Sequence, residues 1–149
     1  MSPVNRTALA TDAWESLFRA QVSVMRGLAA ADTWDEVTQR EYDVLFNLSR
    51  EPDGRLRLRD LNRSILMAQP SLSRMVERLE LSGLVTRHGD PGDRRGTVVE
   101  LTSEGRRVQQ AVGRRHVAHI RRSVGSALEP DELEVLAQLC RKLQLAQNG

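Results

Sequence analysis

The stretch Leu84-Val85-Thr86-Arg87-His88-Gly89-Asp90-Pro91-Gly92-Asp93-Arg94-Arg95-Gly96-Thr97-Val98-Val99-Glu100-Leu101-Thr102 decides the fold. Two segments flank Gly89-Asp90-Pro91-Gly92, and a Gly, Pro and Asp cluster between strand-like segments is a hairpin signal. Arg94 and Arg95 fall at the tip of this hairpin and point into solvent. A ribbon tip carrying arginine suits the minor groove of DNA, whose narrow geometry concentrates negative potential.

Just upstream, residues 70 to 81 read as a short basic helix. Pro70 is a favourable first residue, and Ser82-Gly83 provides the stop that glycine permits in the left-handed conformation. At about 100° per residue, Leu72, Val76 and Leu79 share one face. Ser71, Arg74 and Arg78 take the opposite face, with Met75 beside them. One face packs and the other is free to bind. A helix about 10–12 Å across fits a major groove about 12 Å wide. There arginine bonds guanine bidentately, and serine suits bases or phosphates. The helix N-terminus adds unpaired N–H groups and partial positive charge. Helix and hairpin together read as a winged helix-turn-helix.

Outward from this unit the chain is helical. Residues 9 to 30 place Trp14, Phe18, Gln21, Met25 and Leu28 at spacings of four and three, with Leu17 and Val22 beside them, which predicts an amphipathic helix. Thr38 with Glu41 forms a capping box for a second helix carrying Tyr42, Leu45, Phe46 and Leu48, ending near Pro52-Asp53-Gly54. Leu58, Leu61, Ile65 and Leu66 mark a third helix, on which Arg57, Arg59 and Arg63 are placed to clamp a phosphate backbone. Thr102-Ser103-Glu104-Gly105 opens a long helix to about Leu128. Pro130 with Asp131, Glu132 and Glu134 starts the last one, where negative charge suits the helix dipole.

The expected architecture is mainly α with a small β-hairpin wing. It is a single domain over 1–149, in which residues 38–102 are the winged helix-turn-helix and 9–30 and 103–147 are dimerisation helices. The first and last helices each carry more apolar surface than one small neighbour covers. An intersubunit interface built from Trp14, Leu17, Leu133, Leu136, Cys140 and Leu143 is the economical explanation.

Composition narrows the function. A chain of 149 residues supports one domain with a core. Net charge is only +2, yet nine arginines face five acids between Arg55 and Arg95, while residues 1–36 hold three arginines and five acids. The basic middle is the part suited to an anionic partner. No run approaches the roughly 18 apolar residues of a membrane span, and no signal-peptide core is present, so a cytoplasmic location is expected. Cys140 is the only cysteine, which excludes an intrachain disulfide and a Cys-rich zinc module and fits a reducing compartment; it reads as a small buried hydrophobe. His116 and His119 share a helix face, but neither they nor His88 gain the convergent partners a metal needs. No metal or other cofactor is expected. With no P-loop, dinucleotide glycine fingerprint or nucleophile elbow, the chain is not read as an enzyme.

From Thr38 through Thr102 the residues resemble the MarR family of bacterial winged helix-turn-helix regulators. The family's wing signature, Asp-x-Arg followed by an apolar strand and Leu-Thr, is met by Asp93, Arg95, Val99, Leu101 and Thr102. The resemblance implies that Arg95 enters the minor groove and that Asp93 orients it. Ser71, Ser73 and Arg74 would read or position on the major groove, with Arg78 and Arg94 as further contacts. It also implies a homodimeric, ligand-responsive regulator of transcription, usually a repressor, on double-stranded DNA. Two-fold symmetry would set two recognition helices about 34–36 Å apart on a pseudo-palindromic operator.

Trp14, Phe18, Tyr42 and Phe46 are either plain core or the lining of a pocket for a small aromatic or anionic effector. A urate-responsive branch of the family is similar at Trp14, Asp43 and Arg87, but Met75 stands where that branch has a further arginine. Losing that cation removes a charge-assisted hydrogen bond to an anion. Relatives that sense peroxide carry the reactive cysteine near the N-terminal helix, unlike Cys140. The alternative function is a winged-helix protein-interaction module that does not bind DNA.

Overall fold

The computed structural model describes residues 3–31, 33–66 and 71–149. In chain order these form α1 (Arg6–Ala30), α2 (Gln39–Ser49), β1 (Arg55–Arg57), α3 (Leu58–Ser64), α4 (Leu72–Leu81), β2 (Val85–Asp90), β3 (Asp93–Leu101), α5 (Ser103–Ile120) and α6 (Pro130–Gln147). The helix start expected at Pro70 lies outside the described residues. The chain divides into two compact units, Asp32–His116 and Met1–Ala31 with Val117–Gly149.

In the first of these, α2 begins as its capping chemistry dictates. The Thr38 side chain accepts from the Glu41 N–H at 3.1 Å, and the Glu41 carboxylate accepts from the Thr38 N–H at 2.9 Å. Val44, Leu45 and Leu48 of α2 are fully buried against Leu61, Val76, Leu79, Val85, Val99 and Val112. This one core therefore draws on α2, α3, α4, α5 and the sheet. Tyr42 adds its ring to Trp34 and His116, with centroids 5.5 Å from each. Burial pushes its phenol up, against the opposing hydrogen bond with Gln109 of α5. The hydroxyl therefore stays a neutral hydrogen-bonding group at ordinary pH.

The expected hairpin is present, but as two strands of a three-stranded antiparallel sheet in the order β1-β3-β2. Arg55, Leu56 and Arg57 pair with Glu100, Val99 and Val98. Nothing in Arg55-Leu56-Arg57 alternates long enough to announce a strand; its partner β3 supplies the ladder. Arg57 thus ends β1 and only caps α3, correcting its placement on the third helix. That helix is also shorter than expected. It stops at Ser64, Ile65 turns to extended backbone, and Leu66 is 89% exposed rather than part of an apolar face.

The other unit is all helix: α1, the last turns of α5, and α6. The expected continuous helix to Leu128 changes character, since a π-helical turn occupies Arg121–Gly125. Leu28 is the only buried residue of α1, and α6 has none. Trp14 and Phe18 lie on the surface with ring centroids 5.7 Å apart, and Leu136, Leu139 and Leu143 are also exposed. Leu17 and Leu133 are half-buried. Cys140 is exposed in the single chain, which corrects the buried-hydrophobe reading. It shares a helix with Leu136, Leu139 and Leu143, which are exposed as well.

Among the described residues no helix is long and apolar enough to cross a membrane, and no group of His, Cys, Asp and Glu converges on a metal site.

Candidate nucleic-acid interface

The helix α4 is short, strongly two-faced and closed at both ends. Ser71 caps it, its hydroxyl oxygen accepting from the Arg74 N–H at 3.3 Å. The hydroxyl proton stays available, since capping uses only a lone pair. At the other end the Leu84 N–H donates to the Leu79 carbonyl at 2.9 Å and the Gly83 N–H to the Glu80 carbonyl at 3.0 Å. This is the Schellman arrangement, and it requires the φ of +77° that Gly83 adopts. Leu79 and Leu84 are both buried, as that motif favours. The chain leaves this stop directly into β2.

Leu72, Met75, Val76 and Leu79 form the buried face of α4, while Ser73, Arg74 and Arg78 are exposed. Met75, at 4% exposure, belongs to the core and not to the edge of the binding face. The core wraps far enough round the helix to take it in.

The wing turns at Pro91-Gly92, with a register shift between Gly89 and Asp90. Two carboxylates shape the tip through local bonds. Asp90 Oδ1 accepts from the Gly92 N–H at 2.9 Å, and Asp93 Oδ1 accepts from the Arg95 N–H at 3.0 Å. Asp93 therefore holds the Arg95 main chain, while the guanidinium has no carboxylate at ion-pair distance among the described residues. Arg59 from α3 and Arg95 from the wing line one cleft of about 210 Å³, along with Arg57, Asp90 and Asp93.

Charge pairing sorts the nine arginines between Arg55 and Arg95 into two groups. Arg55, Arg57, Arg63 and Arg87 have intramolecular partners in Glu100, Asp90, Asp60 and Glu80. Among the described residues, Arg59, Arg74, Arg78, Arg94 and Arg95 have no carboxylate at ion-pair distance, and all are exposed. Uncompensated guanidiniums on the free helix face and at the wing tip form the basic surface that phosphates require.

Of the residues considered for an effector, Trp14 and Phe18 are exposed, whereas Asp43, Phe46 and Arg87 are already in use within the winged unit. Asp43 accepts from the Leu66 N–H at 2.9 Å and from Asn47 at 3.1 Å. Phe46 stacks on Tyr42 with centroids 6.0 Å apart and lies under the Arg50 guanidinium. Arg87 gives Nε and Nη2 to Glu80 Oε1 at 3.2 and 3.0 Å, and its backbone N–H to Oε2 at 3.1 Å. This clasp ties β2 to the last turn of α4, a link that sequence spacing did not reveal.

The Arg87 hydrogen bond holds the Glu80 carboxyl below the ordinary carboxylate range. A lowered folded value contributes stability above the unfolded value and loses it as pH falls through the folded one. Glu80→Gln is therefore expected to melt slightly below the wild type near neutral pH, the gap closing as pH falls through the lowered folded value of Glu80. Both groups are solvent-screened, so the gap is small. Melts recorded across this range check it; a constant gap would show that the carboxylate charge is irrelevant.

A capped two-faced helix leading through a tight stop into an arginine-bearing antiparallel wing defines a winged helix-turn-helix protein. A model of the MarR family matches residues 35–96. AbsC, a MarR family transcriptional regulator from Streptomyces coelicolor, superposes with a TM-score of 0.81 at 26% identity, over 100% of this chain and 99% of that one. Sco3205, a MarR family regulator from the same organism solved in complex with DNA, gives 0.80 at 28% identity over 96% and 90%. The PcaV transcriptional regulator of that organism, in complex with its natural ligand, gives 0.68 at 26% identity over 99% of both chains. Residues 35–96 thus match the MarR family, and these solved MarR regulators share the fold over nearly the whole chain.

Proposed function

We propose that this protein is a homodimeric, sequence-specific DNA-binding regulator of transcription, working in the cytoplasm as a ligand-responsive repressor on a pseudo-palindromic operator. The observation that carries the reading is the set of five exposed arginines on α3, α4 and the wing that have no carboxylate partner among the described residues. In a protein that met no polyanion, the same face would gain from the carboxylate partners that Arg57 and Arg87 have. The similar regulator Sco3205 is in complex with DNA, which supports the same partner here.

Arg74, Arg78, Ser71 and Ser73 on α4 take the major groove, Arg94 and Arg95 the minor groove, and Arg59 and Arg63 the phosphates. Dimerisation is supported by the uncovered apolar residues of α1 and α6, among them Trp14, Phe18, Leu136 and Leu143. Partial closure of such surface is what soluble chains achieve by association. A small aromatic or anionic effector acts through unequal affinity for DNA-competent and incompetent states. PcaV in complex with its natural ligand supports such a step.

Arg74→Ala is expected to weaken binding to a preferred duplex by about tenfold, since one good arginine-base contact is worth roughly 1–3 kcal/mol of discrimination. Its melting temperature should stay at the wild-type value, because the side chain is exposed and makes no ion pair among the described residues. The duplex is selected from a random pool by the wild-type protein, and titration compares it with a scrambled sequence. Failure of the wild type to select any sequence would favour the protein-interaction module.

A further inference from the structure

The wing is held from outside the hairpin. Arg57, the last residue of β1, brings its Nε to 2.7 Å from Asp90 Oδ2. The Asp90 side chain is only 5% exposed, although it stands beside the turn of a surface ribbon. Three features put it there. Arg57 pairs with Val98 in the ladder, which fixes the height at which its guanidinium meets the wing. Asp90 Oδ1 is already occupied by the Gly92 N–H, leaving Oδ2 facing Arg57. Gly96, across the ribbon, makes room: a Cβ there would lie 2.9 Å from Asp90 Cβ and 3.2 Å from Oδ2.

A carboxylate so nearly buried is costly to hold without its cation. The wing angle at which Asp90 meets Arg57 is therefore favoured over others, and the tip beyond Asp90 inherits it. Asp90 pairs with Asp93 in the register, and Asp93 binds the Arg95 N–H. Asp90 Oδ2 makes no hydrogen bond among the described residues, so its charge rests on the Arg57 ion pair, and that contact with the ribbon pairing links the edge strand β1 to the main chain of Arg95. We propose that Arg57 and Asp90 are positioning residues that set the wing for sequence-specific DNA, with Arg57 acting through Asp90 and not as a phosphate contact. The proposal rests on the DNA-binding reading above.

Simple electrostatics and positioning predict opposite signs for Asp90→Asn. Deleting a negative charge beside a polyanion-binding cleft strengthens binding to any duplex. Loss of the clasp weakens binding where the wing must fit. The amide keeps an oxygen for the Gly92 N–H, so the turn itself is conserved.

The experiment titrates the full-length wild type, Asp90→Asn, Arg57→Ala and the double variant against the selected duplex and its scrambled counterpart. Each single variant is expected to lose about tenfold on the selected duplex and little on the scrambled one, and the double variant no more than the weaker single. Asp90→Asn binding as tightly as wild type, or Arg57→Ala weakening both duplexes equally, would overturn the proposal; the latter marks a plain phosphate contact. Additive losses would overturn it too. If Asp90→Asn does not fold, Arg57→Ala, at a half-exposed position on an edge strand, carries the test through amide exchange. Faster exchange at Gly92 and Arg95 supports the clasp, and unchanged exchange sinks it. A wild type that selects no sequence defeats the DNA reading itself, a result distinct from all of these.

Discussion

Gly105→Ala is expected to lower the stability of the winged unit by about 2 kcal/mol, although alanine is the better helix former. The first turn of α5 is laid directly on the backbone that leaves α4. A Cβ on residue 105 would run into the Leu84 carbonyl oxygen, 2.9 Å from the carbonyl carbon and 3.0 Å from Leu101 Cδ1. That carbonyl cannot step aside freely, because it accepts from the Thr102 N–H at 3.1 Å. Nor can the helix turn, since the Gly105 N–H donates to Thr102 Oγ1 at 2.9 Å while the same hydroxyl donates to the Gly83 carbonyl at 2.7 Å. Overpacking of this kind costs roughly 1–3 kcal/mol or more, against at most about 1 kcal/mol of helix propensity gained. The steric term wins because the added Cβ is fixed to the helix backbone and the atoms it meets first are the Leu84 main chain.

The measurement is a thermal melt, expected to shift down by about 4–8 °C. Gly113→Ala in the same helix is the control. There the nearest atoms are side chain and not backbone, Tyr42 Oη at 3.1 Å and Gln109 Nε2 at 3.4 Å, so the expected loss is smaller than at Gly105. A Gly105→Ala protein that melts at or above the wild type would mean that α5 does not dock on Leu84. The same geometry explains the Leu-Thr pair that ends the wing: Leu101 is buried, and Thr102 joins the end of α4 to the start of α5.

What could be read from the chain alone was whatever local chemistry decides. The Thr38 and Glu41 box, the Gly83 stop, the Pro91-Gly92 turn and the start of α6 at Pro130 all depend on a few adjacent residues. The strand β1 was not legible, because its conformation comes from Val98, Val99 and Glu100 across the sheet. Met75 was misplaced for a related reason: a helix wheel gives angles, whereas the width of the buried arc depends on what packs against it. The free arginines of the interface were legible as types and positions. Which of the nine are neutralised was not, since Asp90 meets Arg57 and Glu80 meets Arg87 only after folding. The stripe of α6 was legible as apolar, and in one chain it is largely exposed.

Arg95→Ala is expected to weaken binding to the selected duplex by about 10- to 100-fold, the largest loss of any single side chain at this surface. Arg95 is exposed on β3 at the wing tip, and its guanidinium has no carboxylate partner among the described residues. Its main chain, by contrast, is held at 3.0 Å by Asp93 and sits beside a turn closed by Asp90. The side chain is thus mobile at its end and fixed at its root, which limits the entropy lost on insertion into a groove. A narrow minor groove strengthens the negative potential that the guanidinium meets, so the contact is worth more than a phosphate contact in open solvent. In a dimer each operator loses two such contacts. The slope of log affinity against log salt should fall by about one for each contact removed. Melting should not change, since truncation beyond Cβ removes no packed atoms and leaves the Asp93 bond to the backbone intact. Asp93→Ala separates the two roles: it leaves the guanidinium in place but releases its root, and should cost affinity while retaining the wild-type salt slope. An Arg95→Ala protein with unchanged affinity and slope would remove the wing from DNA recognition and leave α4 to read the duplex alone.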